Sequence, residues 1–294
     1  MHVLVYGATG TQGGPVARRL LERGDRVRVL TRQRAAAAAW AERGAQVARA
    51  DLPDSSGLVA AHEGVDAVFL QISASVSPPQ IPLMARAALT AARDAGVAHI
   101  VMTSSSVIPP ARTGVEAPDA RVELLETVRE VLPRTVVLRP TLLLDNFSGP
   151  LRPALDGGVV PQGIPADVPV AYISAEDQAA YAVAALDRPE LAGELLPMAG
   201  GEAVTGPQLA KVLGEAMGTQ LAYVPLSQSE VRDALAFAGP VVAAAVAEMY
   251  AWEGTEGADQ LAPDLTRTRH ALGVMPTPLA DWARSALAPR AVSR

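Results

Sequence analysis

The chain has 294 residues, 49% of them hydrophobic, with a formal net charge of −6 and no cysteine. That is enough apolar side chain for a sizeable core, and the charge gives no general attraction to nucleic acid or to an anionic membrane. Without cysteine there are no disulfides, thiolate metal sites or thiol nucleophiles, which fits a reducing, cytoplasmic setting.

The first two dozen residues carry the strongest signal. His2 to Tyr6 (HVLVY) is a short β-branched apolar run that predicts a strand. The turn Gly7-Ala8-Thr9-Gly10-Thr11-Gln12-Gly13 follows at once, and Pro15 to Leu21 reads as a helix with Val16, Leu20 and Leu21 on one face. A dinucleotide site needs this order. Gly7 permits the tight turn, Gly10 lets the backbone approach a pyrophosphate, and Gly13 lets the helix pack close to the sheet. The free N–H groups and positive dipole end of the helix then face the phosphates. A P-loop is excluded, because no Gly-Lys-Ser/Thr follows.

The second strand, Arg26 to Leu30, ends at Thr31-Arg32-Gln33-Arg34. An acid here would clasp the adenosine ribose of NAD, and none is present. A guanidinium, that of Arg32 or Arg34, suits the 2′-phosphate of NADP through bidentate hydrogen bonds. Asp51-Leu52, after a third strand near Gln46 to Ala50, falls where such folds touch the adenine.

Strand and helix then alternate: a helix near Ser55 to His62, a strand from Asp66 to Gln71, a helix from Pro79 to Ala95, a strand from His99 to Ser104, a helix from Asp119 to Val131 and a strand from Thr135 to Leu138. The alternation predicts an α/β fold with a doubly wound parallel sheet, whose strands present their carboxyl ends, and any ligand, on one edge. Ala35 to Ala39 predicts a bland surface helix. Ala234 to Ala247 is too short to span a bilayer and contains Gly239-Pro240, so it predicts a pair of buried helices. Past Asn146, Pro and Gly turns separate short elements. Helix starts are legible at Ser174 with Asp177, Thr205 with Gln208, Ser227 with Glu230 and Thr277-Pro278. The expected organisation is a dinucleotide-binding domain over 1–150 and a smaller substrate region over 151–294, with 174–187 packing back on the first.

Taken together, GATGTQG with RVRVLTR, Ala92 to Val97 leading into HIVMTSSS, TVVLRPTLLLDNF, ISAEDQAAYAVAAL and TGPQLAKVLGEAMG resemble the NmrA-like atypical short-chain dehydrogenases over nearly the whole chain. The resemblance implies that Gly7, Thr9, Gly10, Gln12 and Gly13, with Thr11 in the same turn, surround a pyrophosphate and that Arg32 lies near a 2′-phosphate. It puts Gln71, Ile72 and Ser73 beside the cofactor ribose and Thr103, Ser104 and Ser105 below the nicotinamide. Pro140, Thr141 and Asn146 would cover the nicotinamide and open a substrate pocket, with Phe147, Tyr172 and apolar residues of the late helices expected in its wall.

Ordinary short-chain dehydrogenases exchange a proton through a Tyr-x-x-x-Lys pair. No tyrosine lies between Tyr6 and Tyr172 here, and the sole lysine is Lys211. Many NmrA-like reductases keep a lysine near the start of the helix after the fifth strand; this chain offers Asp119, Arg121 or Val122. Arg121 can orient an anion but is a poor acid. Ser104 and Ser105 remain as candidates to hydrogen-bond a substrate carbonyl. Glu123 and Glu126 read as a solvated helix face. His2, His62, His99 and His270 have no ligand spacing, so no metal is expected. The expected activity is NADPH-dependent hydride transfer to a small apolar acceptor such as a quinone, enone or related aromatic compound. The alternative is a non-catalytic NADP(H)-binding regulator acting through a protein partner. A homodimer fits either.

Overall fold

The computed structural model describes residues 1–32, 34–51, 55–72, 76–104 and 107–288, without the side chains of 34, 55 and 56. Strand β1 (His2–Val5) passes through the glycine turn into helix α1 (Gly13–Glu22). Then come β2 (Arg26–Leu30), α2 (Arg34–Glu42), β3 (Gln46–Ala48), α3 (Ser55–His62), β4 (Ala67–Gln71), α4 (Gln80–Asp94), β5 (His99–Thr103), α5 (Glu116–Val131) and β6 (Val136–Pro140). The rest of the chain forms α6 (Asp145–Ser148), α7 (Arg152–Asp156), β7 (Val159–Gln162), α8 (Ala175–Leu186), β8 (Leu195–Met198), α9 (Gly206–Met217), β9 (Ala222–Pro225), α10 (Gln228–Ala234), α11 (Pro240–Glu253), α12 (Thr266–Leu272) and α13 (Leu279–Leu287).

Seven strands form one parallel sheet in the order β3-β2-β1-β4-β5-β6-β8. Side chains alternate across it, as strand geometry requires. Val3 and Val5 of β1 join Val16 and Leu20 of α1 and Ala179, Ala182 and Ala185 of α8 on one face. Leu4 and Tyr6 join Leu58 of α3, Leu89 of α4 and Leu124 and Val128 of α5 on the other. With both faces covered, the strands can be apolar throughout, which is why HVLVY and AVFLQ show no polar alternation. The seventh strand, β8, comes from beyond residue 150. Its Pro197 is tolerated because β8 is an edge strand that pairs only with β6.

A third core gathers Phe147, Tyr172, Leu209, Leu213, Trp252 and Trp282 around the small parallel pair β7-β9. Helix α8 starts on the Ser174 cap, whose hydroxyl oxygen accepts the Asp177 N–H at 3.0 Å, and α9 and α10 start on complete capping boxes. The segment expected as two buried helices is instead α10, a short 3₁₀ turn and α11. Phe237 and Val241 stand in solvent there, and only the far part of α11 is buried. No helix among the described residues is long and apolar enough to cross a membrane.

Candidate functional site

β1 lies between β2 and β4, where the strand order reverses, so the turn that follows it sits at the switch point of the sheet. Gly7 has φ +68°, the left-handed region that favours glycine. Gly13 begins α1 in contact with the turn, and a Cβ there would lie 2.4 Å from the Gly7 carbonyl oxygen and 2.7 Å from that of Tyr6. Gly10 faces outward, since a Cβ on it would meet nothing nearer than the Gly7 oxygen at 3.4 Å. Thr9, Gly10 and Thr11 are exposed and Gln12 is half-buried. Helix α1 has no side-chain cap and no acid in its first turn, so the N–H groups there meet no carboxylate from their own helix.

Arg32, just past β2, and Asp51, just past β3, come within 3.6 Å, and the Arg32 side chain is 73% exposed. Arg34 begins α2, but its side chain lies outside the described residues, as do Leu52, Ser73 and Ser105 in full.

Over the carboxyl ends of the strands lies a cavity of about 230 Å³. Gln12 from the turn, Gln71 and Ile72 after β4, Thr103 and Ser104 at β5, and Pro140 and Thr141 at β6 line one side. Arg121 and Leu124 of α5, Gln178 of α8 and one face of α11, through Ala245, Val246, Met249, Tyr250 and Glu253, line the other. The spacing of those α11 residues is that of a single helical stripe. Thr141 is fixed rather than available, because its hydroxyl donates to the Ala171 carbonyl. Thr103 Oγ1, Ser104 Oγ and Gln178 Oε1 are buried with no hydrogen-bond partner among the described residues. Such orphaned atoms are costly unless a ligand satisfies them. Together with the open turn, they fit a dinucleotide whose planar carboxamide end reaches the cavity.

Asn146, Phe147 and Tyr172 do not line this cavity. Phe147 and Tyr172 meet edge to face with centroids 5.8 Å apart inside the third core, so they are core residues, and the apolar wall comes from the late helix α11. Asn146 is half-buried, and its carbonyl accepts the Leu151 N–H at 2.8 Å.

The charged groups among the described lining residues are Arg121 and Glu253. Burial lowers the Arg121 pKa from the ordinary arginine value, and the nearby Glu253 carboxylate opposes that shift. Glu253 itself is 3% exposed. Burial, reinforced by Glu253, also raises the Tyr250 phenol, and the Tyr172 phenol is pushed well up by burial first and by its neighbours Tyr223, Tyr250 and Glu253 after. Lys211 is far from this chemistry, exposed on α9 and 3.9 Å from Glu215. Tyr250, Glu253 and Gln178 were not singled out from the sequence. The legible signal was only the polar pair at 250 and 253, one turn apart at the end of an apolar helix.

A parallel sheet with a glycine turn at its switch point and a cavity over its strand ends defines a Rossmann-type dinucleotide-binding protein. The chain belongs to the NmrA-like family, whose family model matches residues 1–283. It is 32% identical over 261 residues to an NAD(P)H azoreductase of Xenophilus azovorans, covering 85% of this chain and 86% of that protein. It is 29% identical over 239 residues to quinone oxidoreductase 2 of Escherichia coli, covering 81% and 82%. The crystal structure of an NADPH-dependent quinone oxidoreductase from Escherichia coli complexed with NADPH superposes with a TM-score of 0.79 at 27% identity, over 97% of this chain and 99% of that one.

Proposed function

We propose that this protein is an NADPH-dependent reductase that passes hydride to a small, planar, apolar acceptor of the quinone or enone kind without a Tyr-x-x-x-Lys pair. The observation that carries the reading is the continuity of the glycine turn with the cavity, since Gln12 belongs to both. The named activities of the relatives above support a reductase.

NADPH, when bound, supplies the hydride. The chain's own part is binding and orientation. The N–H groups at the start of α1 and the open face of Gly10 hold the pyrophosphate, and Arg32 holds the 2′-phosphate. Thr103, Ser104 and Gln178 offer their unpartnered polar atoms to the carboxamide end. The apolar stripe of α11 excludes water and presses a flat acceptor against the strand ends. No phenol among the described wall residues is prepared to give up a proton, because burial raises the Tyr250 pKa rather than lowering it. The acceptor must therefore be one whose reduced oxygen can take its proton from water.

The test is a paired one: NADPH and NADP⁺ titrations by fluorescence, then oxidation of bound NADPH against a panel of quinones and enones. Saturable binding with turnover of the panel is expected. Saturable binding with no oxidation by any acceptor would instead favour a regulator that reads the cofactor's redox state.

A further inference from the structure

The arginine of the cavity, Arg121, is half-buried and takes no part in the cofactor binding described above. Arg121 sits in the second turn of α5, beside Leu124 and opposite the apolar stripe of α11, with Glu253 supporting its charge. It is the one cation among the described lining residues, it stays protonated, and the Glu253 carboxylate favours its charge. The pocket it faces is the one into which the acceptor must fit. We propose that Arg121 is a further catalytic residue: its guanidinium receives the acceptor oxygen on which negative charge develops, and it thereby selects conjugated carbonyl compounds whose reduction leaves a phenolate or enolate.

The proposal rests on the reductase reading above and narrows its substrate class. In the step, the acceptor gains hydrogen with its electron pair as a C–H bond of the reduced cofactor breaks. The π electrons of the acceptor move along the conjugated system onto its carbonyl oxygen. That oxygen becomes anionic beside Arg121 and then takes a proton from water, so atoms and charge balance without a protein acid. Fixed positive charge in a site that excludes water stabilises such an oxygen far more than solvent could, because no dipoles need to reorganise as the charge appears. Arginine suits this role for the reason it fails as an acid: it stays protonated throughout.

The test uses 4-nitrophenol, a flat probe whose ionised form absorbs in the visible and mimics the anionic product. It is titrated into the protein with and without NADP⁺ over a pH series, with binding of NADPH read by fluorescence in the same samples. The wild type should bind the phenolate in preference to the phenol, so that the bound probe ionises at a lower pH than the free one. Arg121→Met should bind the phenolate about tenfold to a hundredfold more weakly and lose that shift, as expected for a charge-assisted hydrogen bond, while Arg121→Lys should keep part of it. A wild-type protein that favours the neutral phenol overturns the proposal whether or not the variants fold. So does unchanged phenolate affinity in an Arg121→Met protein that melts cooperatively. Failure to bind NADPH would overturn the reductase reading instead, and the titration without NADP⁺ would still decide the role of Arg121.

Discussion

Gly7 and Gln71 compete for one space at the ends of β1 and β4: a Cβ on Gly7 would lie 2.1 Å from the Gln71 Oε1. A Cβ on Gly13 would instead strike backbone, at the carbonyls of Gly7 and Tyr6, while one on Gly10 would point into the open. The three glycines should therefore separate in experiment. Gly13→Ala should destabilise most, by about 1–3 kcal/mol or more, because backbone cannot move aside. Gly7→Ala should cost on the order of 1–2 kcal/mol for the left-handed conformation, since the Gln71 side chain can shift. Gly10→Val should melt close to wild type and lose dinucleotide binding. Thermal melts with NADPH titrations check the order, and tight NADPH binding by a folded Gly10→Val protein would reduce the loop to a plain turn.

Arg32 and Asp51 stand at adjacent strand ends, 3.6 Å apart, in solvent. An exposed pair of this kind adds little to stability, about 0–1 kcal/mol, so the guanidinium is available to a phosphate. NADPH should bind more tightly than NADH, and Arg32→Ala should remove most of the difference, on the order of 1–3 kcal/mol, with the melting temperature nearly unchanged. Isothermal titration of both cofactors reads this directly. Equal affinities in the wild type would remove the basis for an NADP preference.

The edge-to-face contact of Phe147 with Tyr172 makes a prediction about stability rather than specificity. Phe147 is fully buried. Phe147→Ala should cost about 3–5 kcal/mol, and Phe147→Leu far less. Among variants that fold, relative turnover of different acceptors should not change. A change in acceptor preference with little loss of stability would put the ring back in the pocket wall.

The site was legible in the sequence to the extent that it is local. Strand, turn and helix from His2 to Leu21 are contiguous, so the roles of Gly7, Gly10 and Gly13 follow from backbone sterics that operate within a few residues. The cavity's far wall is not local. Arg121 and Glu253 meet only because α11 packs on α5, and nothing in the apolar run of α11 marks which of its faces turns toward the sheet. Its hydrophobic residues run round the helix, which removes the periodic signal that would have assigned a buried side. Phe147 and Tyr172 were misplaced for a related reason, since an aromatic side chain near a substrate loop reads the same whether it lines a pocket or fills a core. β8 was missed as a strand of the main sheet because LLPM is short and carries a proline, which only its edge position permits.

His62 should make stability depend on pH. Its Nδ1–H donates to the Leu58 carbonyl at 2.7 Å, and its Nε2 faces the Tyr6 hydroxyl at 3.5 Å, with the ring almost wholly buried. Burial lowers its pKa from the ordinary 6.5, with the Leu58 hydrogen bond opposing and Arg28 adding to the shift. Above 6.5 the imidazole is neutral in both folded and unfolded chains, and its contribution is fully present. As pH falls below that value the unfolded chain takes up the proton first, so stability is lost progressively toward the lower folded-state pKa. Between about pH 7 and about pH 5.5 the wild-type denaturation midpoint should fall more than that of His62→Gln. Parallel slopes in urea titrations would show that another group dominates the window.

The choice among acceptors follows from which acids are missing among the described residues of the cavity. Lys211 is on exposed α9, and burial pushes the phenols of Tyr172 and Tyr250 up rather than down. A simple ketone localises the charge on an alkoxide basic enough to need a proton as hydride arrives, which a guanidinium does not give, whereas a quinone or activated enone delocalises the charge and can take its proton from water later. Quinones and activated enones should therefore turn over well and unactivated ketones poorly. Because burial raises the Tyr250 phenol, the rate with a good acceptor should show no inflection at the ordinary tyrosine value of about 10. Ser104 provides the finer control: its hydroxyl oxygen is buried at the end of β5 without a partner. Ser104→Ala should raise the KM for NADPH about threefold to tenfold, as expected for the loss of one hydrogen bond to the carboxamide end, with acceptor preference nearly unchanged. Steady-state rates across the panel and a pH profile on one quinone measure all three effects, and brisk reduction of an unactivated ketone would reveal a proton donor that these residues do not supply.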